Sequence, residues 1–175
     1  MSMERLSHLY ADAFLNVFFD SLPEDILTRL YALQERMKTD QKFQIAEELP
    51  GFKAAKKEYF LNFFDSVSLN NQAFTALIDL LLKQRRSFLM QEIIEALILE
   101  YKKRAKLLDC TVYSAKSLTD EEQKRIVLQA SKLLGYTIIP TWIIDPSLIA
   151  GIRFETADYV FDHSIRHKLN VLAVR

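Results

Sequence analysis

The chain is 175 residues long and half hydrophobic, with 23 basic residues balanced by 23 acidic ones. Zero formal net charge removes the electrostatic footprint of a nucleic-acid binder, because a phosphate backbone recruits a basic excess. A single cysteine, Cys110, excludes an internal disulfide and fits a reducing compartment.

The opening residues, Met1 to Arg5, lack the charged and apolar regions of a secretory signal and the Arg-rich, acid-poor character of a transit peptide, so no export is expected. Apolar spacing then predicts helices almost without interruption to Leu108, near 4 to 20, 24 to 38, 40 to 48, 52 to 66, 70 to 85 and 87 to 108. Pro23 suits the first turn of the second helix, and Pro50-Gly51 breaks the chain between the third and fourth. The expectation is a six-helix bundle over residues 1–108. No apolar run approaches the roughly 20 residues that span a bilayer, so any membrane association would run through a partner.

The first helix carries two apolar stripes. Leu6, Tyr10, Ala13, Phe14 and Val17 form one, and Ala11, Leu15, Phe18, Phe19 and Leu22 form a second rotated beside it. One stripe joins a helix to a bundle; a second asks for another neighbour, either a further helix of the same domain or a partner's amphipathic helix in a groove. The helix near 70 to 85 repeats the pattern, with Phe74, Leu77, Ile78 and Leu81 on one face and Ala76 and Leu80 turned away. In the sixth helix, Lys102, Lys103, Arg104 and Lys106 follow Glu92, Glu95 and Glu100, which puts positive charge where the helix dipole favours it.

After Leu108 the period changes from helical to alternating. Residues 110–115 and 137–144 read as strands, and between them lies a helix punctuated at both ends. Thr119 and Glu122 have the spacing of a capping box, Ile126, Ala130, Leu133 and Leu134 form the apolar stripe, and Gly135 supplies the C′ position. A last strand pair around Thr156-Ala157-Asp158 feeds a short helix from about Ser164. Residues 109–175 are therefore expected to form a small α+β domain, not a parallel nucleotide-binding sheet, and the whole chain to be mainly α.

Chemical signatures are sparse. No G-x-x-x-x-G-K-[ST] phosphate loop occurs. His163 and His167 stand four apart with Asp162 beside them, a spacing that could hold a metal from one helical turn, but no glutamate completes an HExxH motif. Asp145, Glu155, Asp158 and Asp162 sit in turn-like contexts, where aspartate usually accepts local hydrogen bonds. No catalytic residue, cofactor or metal is assigned, and a His-site metal enzyme is the remote alternative. Cys110 reads as a small half-buried residue.

Leu9-Tyr10-Ala11-Asp12-Ala13-Phe14 and Leu80-Leu81-Leu82-Lys83-Gln84-Arg85-Arg86 resemble, respectively, the opening tyrosine-alanine helix and the leucine run ending in arginine of the delta subunit of F-type ATP synthases, whose mitochondrial counterpart is the oligomycin-sensitivity-conferring protein. A more specific series follows: Val112, Ser114 and Ala115; Leu118 to Glu122; Asp145, Pro146, Ser147, Leu148 and Ile149 through Gly151 and Ile152; then Asp162, Ser164 and Leu169. Three positions depart from the pattern. Ala150-Gly151 stands for a glycine pair, Ala157-Asp158 for a glycine-aspartate turn, and His163 for a glycine; Ala157 would be costly in a turn that required positive φ.

The resemblance implies a non-catalytic stator subunit on the cytoplasmic face of the bacterial inner membrane, peripheral through its complex. In such a subunit the helical domain binds the N-terminal segments of the alpha subunits and the C-terminal domain meets the b subunits of the peripheral stalk. Ala11, Leu15, Phe18, Phe19, Ala76 and Leu80 are the residues expected to line the groove for the alpha segment. A divergent paralogue serving as a helical adaptor is the other reading the departures allow. Neither nucleic acid nor direct membrane insertion is expected.

Overall fold

A computed structural model describes residues 3–48, 53–69 and 72–173. The expected break at Pro50-Gly51 lies outside them. Among the described residues the chain is mainly helical with one small mixed sheet at its C-terminal end. Two compact units divide at Tyr101 and Lys102, inside the last helix of the helical part.

The first unit contains α1 (Met3–Phe18), α2 (Ile26–Thr39), α3 (Gln41–Glu48), α4 (Lys53–Asp65), α5 (Gln72–Lys83) and most of α6 (Met90–Arg104). All six contribute to one core, with Phe14, Leu30, Phe43, Phe64, Phe74 and Leu97 among its buried members. Aromatic packing stitches it together: the rings of Phe43 and Phe63 lie 4.6 Å apart and those of Phe64 and Phe74 5.7 Å apart. At roughly 25 cal/mol per Å² of apolar surface removed from water, such a core is the main stabilising term of this unit. Pro23 precedes α2 instead of opening it; its carbonyl accepts the Ile26 N–H at 3.1 Å, so it ends the connecting turn. Where helices end without glycine, Ser68, Arg85 and Lys106 take the left-handed conformation themselves.

The second unit is built on β1 (Leu107–Ser114), α7 (Asp120–Leu134), β2 (Thr137–Ile144), β3 (Ile152–Glu155), β4 (Val160–Asp162) and α8 (Ile165–Ala173). Sheet order is β2-β1-β3-β4. β1 pairs with β2 in parallel and with β3 antiparallel, and β3 pairs with β4 antiparallel. The sheet is thus mixed: α7 is the crossover that a parallel pair requires, and the two later strands form a hairpin. β1 begins three residues earlier than its alternation suggested, because Leu107 to Asp109 pair with Thr137 to Ile139.

α7 shows its sequence punctuation in full. Thr119 Oγ1 accepts the Glu122 N–H at 3.3 Å, Glu122 Oε2 accepts the Thr119 N–H at 2.9 Å, and Gly135 closes the helix at φ 72°. Its inward stripe differs by a small rotation. Val127, Ala130 and Leu134 join Cys110, Val112 and Ile138 in the core, while Leu133 is 86% exposed. Leu133 lies about 100° round the helix from Leu134, which carries it past the edge of the buried face.

Candidate functional site

On the helical unit, both apolar stripes of α1 reach the core: in the first, Phe14 is buried and Leu6 and Tyr10 pack against the core, while Ala13 and Val17 stand exposed. Ala11 and Leu15 are enclosed in the core, at 0% and 1% exposure, and Phe18 and Phe19 pack half-buried against it. The surface that α1 presents is the neighbouring row of Leu9, Ala13 and Val17, with Val17 72% exposed. On α5, Ala76 and Leu80 face outward as their spacing indicated. Sequence spacing alone could not tell Ala13 and Val17 from the rest of their stripe, since all are apolar and only the cover given by the other helices distinguishes them.

Within the shared core, two side-chain contacts between α1 and the α5 segment stand out. The rings of Phe14 and Phe74 lie 5.0 Å apart on the core side. Just beyond α5, the Arg86 Nη1 donates to the Tyr10 hydroxyl at 3.0 Å, both side chains half-buried. Tyr10 and Arg86 come from the tyrosine-alanine and leucine-arginine motifs respectively, 76 residues apart in the chain. His8 Nδ1 also meets Glu100 Oε1 at 3.2 Å, which ties α1 to α6.

In the second unit the Asp145 to Ser164 series forms a hydrogen-bonded clasp. Asp145 Oδ1 accepts the Ser147 N–H at 3.0 Å, Asp162 Oδ1 accepts the Ser164 N–H at 2.8 Å, and Ser164 Oγ caps α8 by accepting the His167 N–H at 3.1 Å. Arg166 Nη1 donates to Ser147 Oγ at 2.8 Å, and the Ile165 N–H reaches the Ala150 carbonyl at 2.9 Å, so the loop before β3 is fastened to the start of α8. Hydrogen bonds from Ser147, its hydroxyl first, hold the Asp145 carboxyl below the usual range, and those from Ser164 do the same for Asp162. Pro146 begins a short 3₁₀ turn whose Leu148 is buried.

Geometry also explains the three departures. Gly151 has φ 95°, and a Cβ there would stand 2.5 Å from the His163 carbonyl oxygen, so this glycine is required. Ala150 has no positive φ; the bend falls on Ile149, at φ 67° and ψ −56°, where the Ala150 N–H reaches the Leu148 carbonyl at 2.8 Å in a γ-turn. The β3–β4 turn is closed by paired Thr156 and Tyr159 contacts at 2.8 and 3.0 Å, and neither Ala157 nor Asp158 has positive φ. Ala157 therefore carries no backbone penalty. His163 is exposed, and only its backbone contacts Gly151.

α8 starts at Ile165, so His163 lies outside it and does not share a helical turn with His167. Among the described residues no group of three His, Cys, Asp or Glu side chains could hold a metal. Cys110 is buried, and burial pushes its thiol pKa up, away from the reactive thiolate. A groove of about 330 Å³ runs between α7, through Ile126, Ala130 and Leu133, and Ile152 and Phe154 of β3, with His163 at its edge. It is mainly apolar, which suits a hydrophobic helix face better than a charged substrate.

The profile of the family described as ATP synthase delta (OSCP) subunit matches residues 6–175. Among relatives, the ATP synthase subunit delta of Gemmatimonas aurantiaca is 28% identical over 93% of this chain and 80% of its own length. That of Pelodictyon phaeoclathratiforme is 26% identical over 98% and 97%. A chain of the Toxoplasma gondii mitochondrial ATP synthase hexamer shares the fold, with a TM-score of 0.56, 17% identity, and 97% and 96% coverage of the two chains. With a profile spanning both units and relatives aligned almost end to end, the chain belongs to the ATP synthase delta (OSCP) subunit family.

Proposed function

We propose that the helical unit, which ends at Tyr101 and not at residue 108 because Leu107 and Leu108 already pair in β1, is a six-helix bundle on the catalytic head of an F-type ATP synthase, and that the sheet unit from Lys102 onward is the domain that meets the b subunits of the peripheral stalk. The family match over residues 6–175 carries this reading. As a delta-family chain the protein is a structural stator subunit of an ATP synthase, not itself catalytic. A rotor turning inside the head drags the head with it unless a static link bears the opposing load, so the requirement is a stiff contact that dissociates slowly.

The alpha subunit's N-terminal segment is assigned to the outer face of α1 and α5, where Leu9, Ala13 and Val17 stand on one helix and Ala76 and Leu80 on the other. Phe18 and Phe19 extend that face at the end of α1, and Ala11 and Leu15 support it from below. An amphipathic helix laid on these rows buries apolar surface on both sides, the helix-in-groove mode of recognition. The groove between α7 and β3 is assigned to the b subunits. No described helix is long and apolar enough to cross a membrane, and the chain is placed on the cytoplasmic face of the bacterial inner membrane through its partners.

Val17→Asp combined with Leu80→Asp tests the head contact. Both side chains are exposed, so far-UV circular dichroism should keep the wild-type helix signal, while binding of a peptide copying the alpha N-terminal segment falls at least about 100-fold, as expected for two central apolar contacts. Binding at wild-type strength would refute this face.

A further inference from the structure

The geometry points to Tyr10 and Arg86 as positioning residues that set the α1–α5 docking face for the alpha segment. This rests on the head contact proposed above and adds how that face is held in register. α1 meets α5 and the residues just beyond its end through contacts of two different characters. Phe14 against Phe74 is an apolar contact, with ring centroids 5.0 Å apart, inside a core that also takes Ala11 and Leu15 from α1 and Leu77, Ile78 and Leu81 from α5; such non-directional packing sets the crossing angle only to within a range. This apolar contact is the first pin.

The second pin is directional. A guanidinium N–H and a phenol oxygen at 3.0 Å attract only within a narrow range of distance and angle. Tyr10 stands one turn before Phe14 on α1, so the two pins lie on one side of that helix, one above the other. Arg86 is itself held in place: its N–H reaches the Leu81 carbonyl at 2.8 Å, and Arg85 before it takes φ 57° to close α5. The guanidinium therefore leaves a fixed backbone position at the end of α5. The hydrogen bond adds a directional constraint to the angle that core packing sets, and that angle governs whether the outward rows of α1 and α5 accept one straight partner helix. Both side chains are only half-buried, so the bond adds little to overall stability while its direction matters to the face beside it.

The experiment uses the full chain and a synthetic peptide of the alpha subunit's N-terminal segment, with affinity by calorimetry and the thermal midpoint measured in parallel. Tyr10→Phe removes only the hydroxyl and should weaken the peptide about five- to tenfold, the scale of one net hydrogen bond, with the melting temperature lowered by no more than about 2–4 °C. Arg86→Met should do the same, and the double variant should be no weaker than either single one, because both break one bond. Arg86→Lys, which still donates, should recover part of the affinity beside Tyr10 and none beside Phe at that position. Tyr10→Phe binding at wild-type strength, or additive losses in the double variant, would overturn the positioning role while leaving the docking face intact. No peptide binding by the wild-type chain would remove the head contact itself, and this inference with it.

Discussion

The helical unit buries phenylalanine, leucine and isoleucine from six helices, whereas the core cluster of the sheet unit encloses only Cys110, Val112, Ala130 and Ile138 and relies on partly exposed neighbours such as Trp142 and Phe154. The smaller unit makes up the difference with directional bonds: the Thr119 capping box, the strand ladders and the clasp of Asp145, Ser147, Asp162 and Ser164. Apolar burial is forgiving of small displacements and hydrogen-bonded loops are not. Substitutions should therefore hurt the helical unit through lost volume and the sheet unit through lost backbone geometry.

Trp142, the only tryptophan, lies on β2 and reports on the sheet unit alone, while helical circular dichroism is weighted toward the helical unit. The largest effect is expected from Phe74→Ala. Phe74 is fully buried between Phe14 and Phe64, and its truncation should cost about 3–5 kcal/mol in a denaturant titration followed by circular dichroism. The Trp142 transition should stay put. Equal shifts in both signals would mean that the units unfold as one and would dissolve the contrast.

Gly151→Ala should come next and act on the other unit. The added Cβ meets the His163 carbonyl at a φ that side chains rarely adopt, so a loss of about 2–3 kcal/mol is expected, read by Trp142 fluorescence. Ala150→Gly beside it relieves no positive φ and should change stability by less than about 1 kcal/mol. If the two neighbouring substitutions had similar effects, backbone geometry would not be what secures this loop.

Much of this contrast was legible in the residues. The α7 cap, the glycine that ends α7 and the span of β2 follow from local chemistry: a threonine and glutamate three apart, one glycine in a glycine-poor chain, and a β-branched run. What stayed hidden depends on neighbours distant in sequence. Leu15 and Val17 are equally apolar, yet Leu15 is buried and Val17 is exposed because other helices cover one side of α1. Leu133 and Val127 exchange roles in α7 for the same reason. The parallel pairing of β1 with β2 needs register across a 15-residue helix, which no local pattern records. The Tyr10–Arg86 bond joins two motifs whose sequences give no sign that they meet.

The smallest effect is expected from acid, and it again falls on the sheet unit. Asp145 and Asp162 each accept hydrogen bonds in their ionised form, which lowers both pKa values on folding. Between the folded and unfolded values the unfolded chain binds more protons than the folded one. The contribution of these carboxylates is therefore complete above the unfolded value of about 3.9 and drains away as pH falls through the folded values. In the helical unit, burial instead raises the pKa of the Tyr59 and Tyr101 hydroxyls, groups that are neutral throughout the acid range. Acid titration followed by Trp142 fluorescence should show the sheet unit weakening below about pH 4. Asp162→Asn removes one titrating group and keeps an oxygen that can accept the Ser164 N–H, so its stability at neutral pH should change little and its acid transition should flatten. An unaltered acid profile in that variant would show that the clasp holds α8 by shape and not by charge.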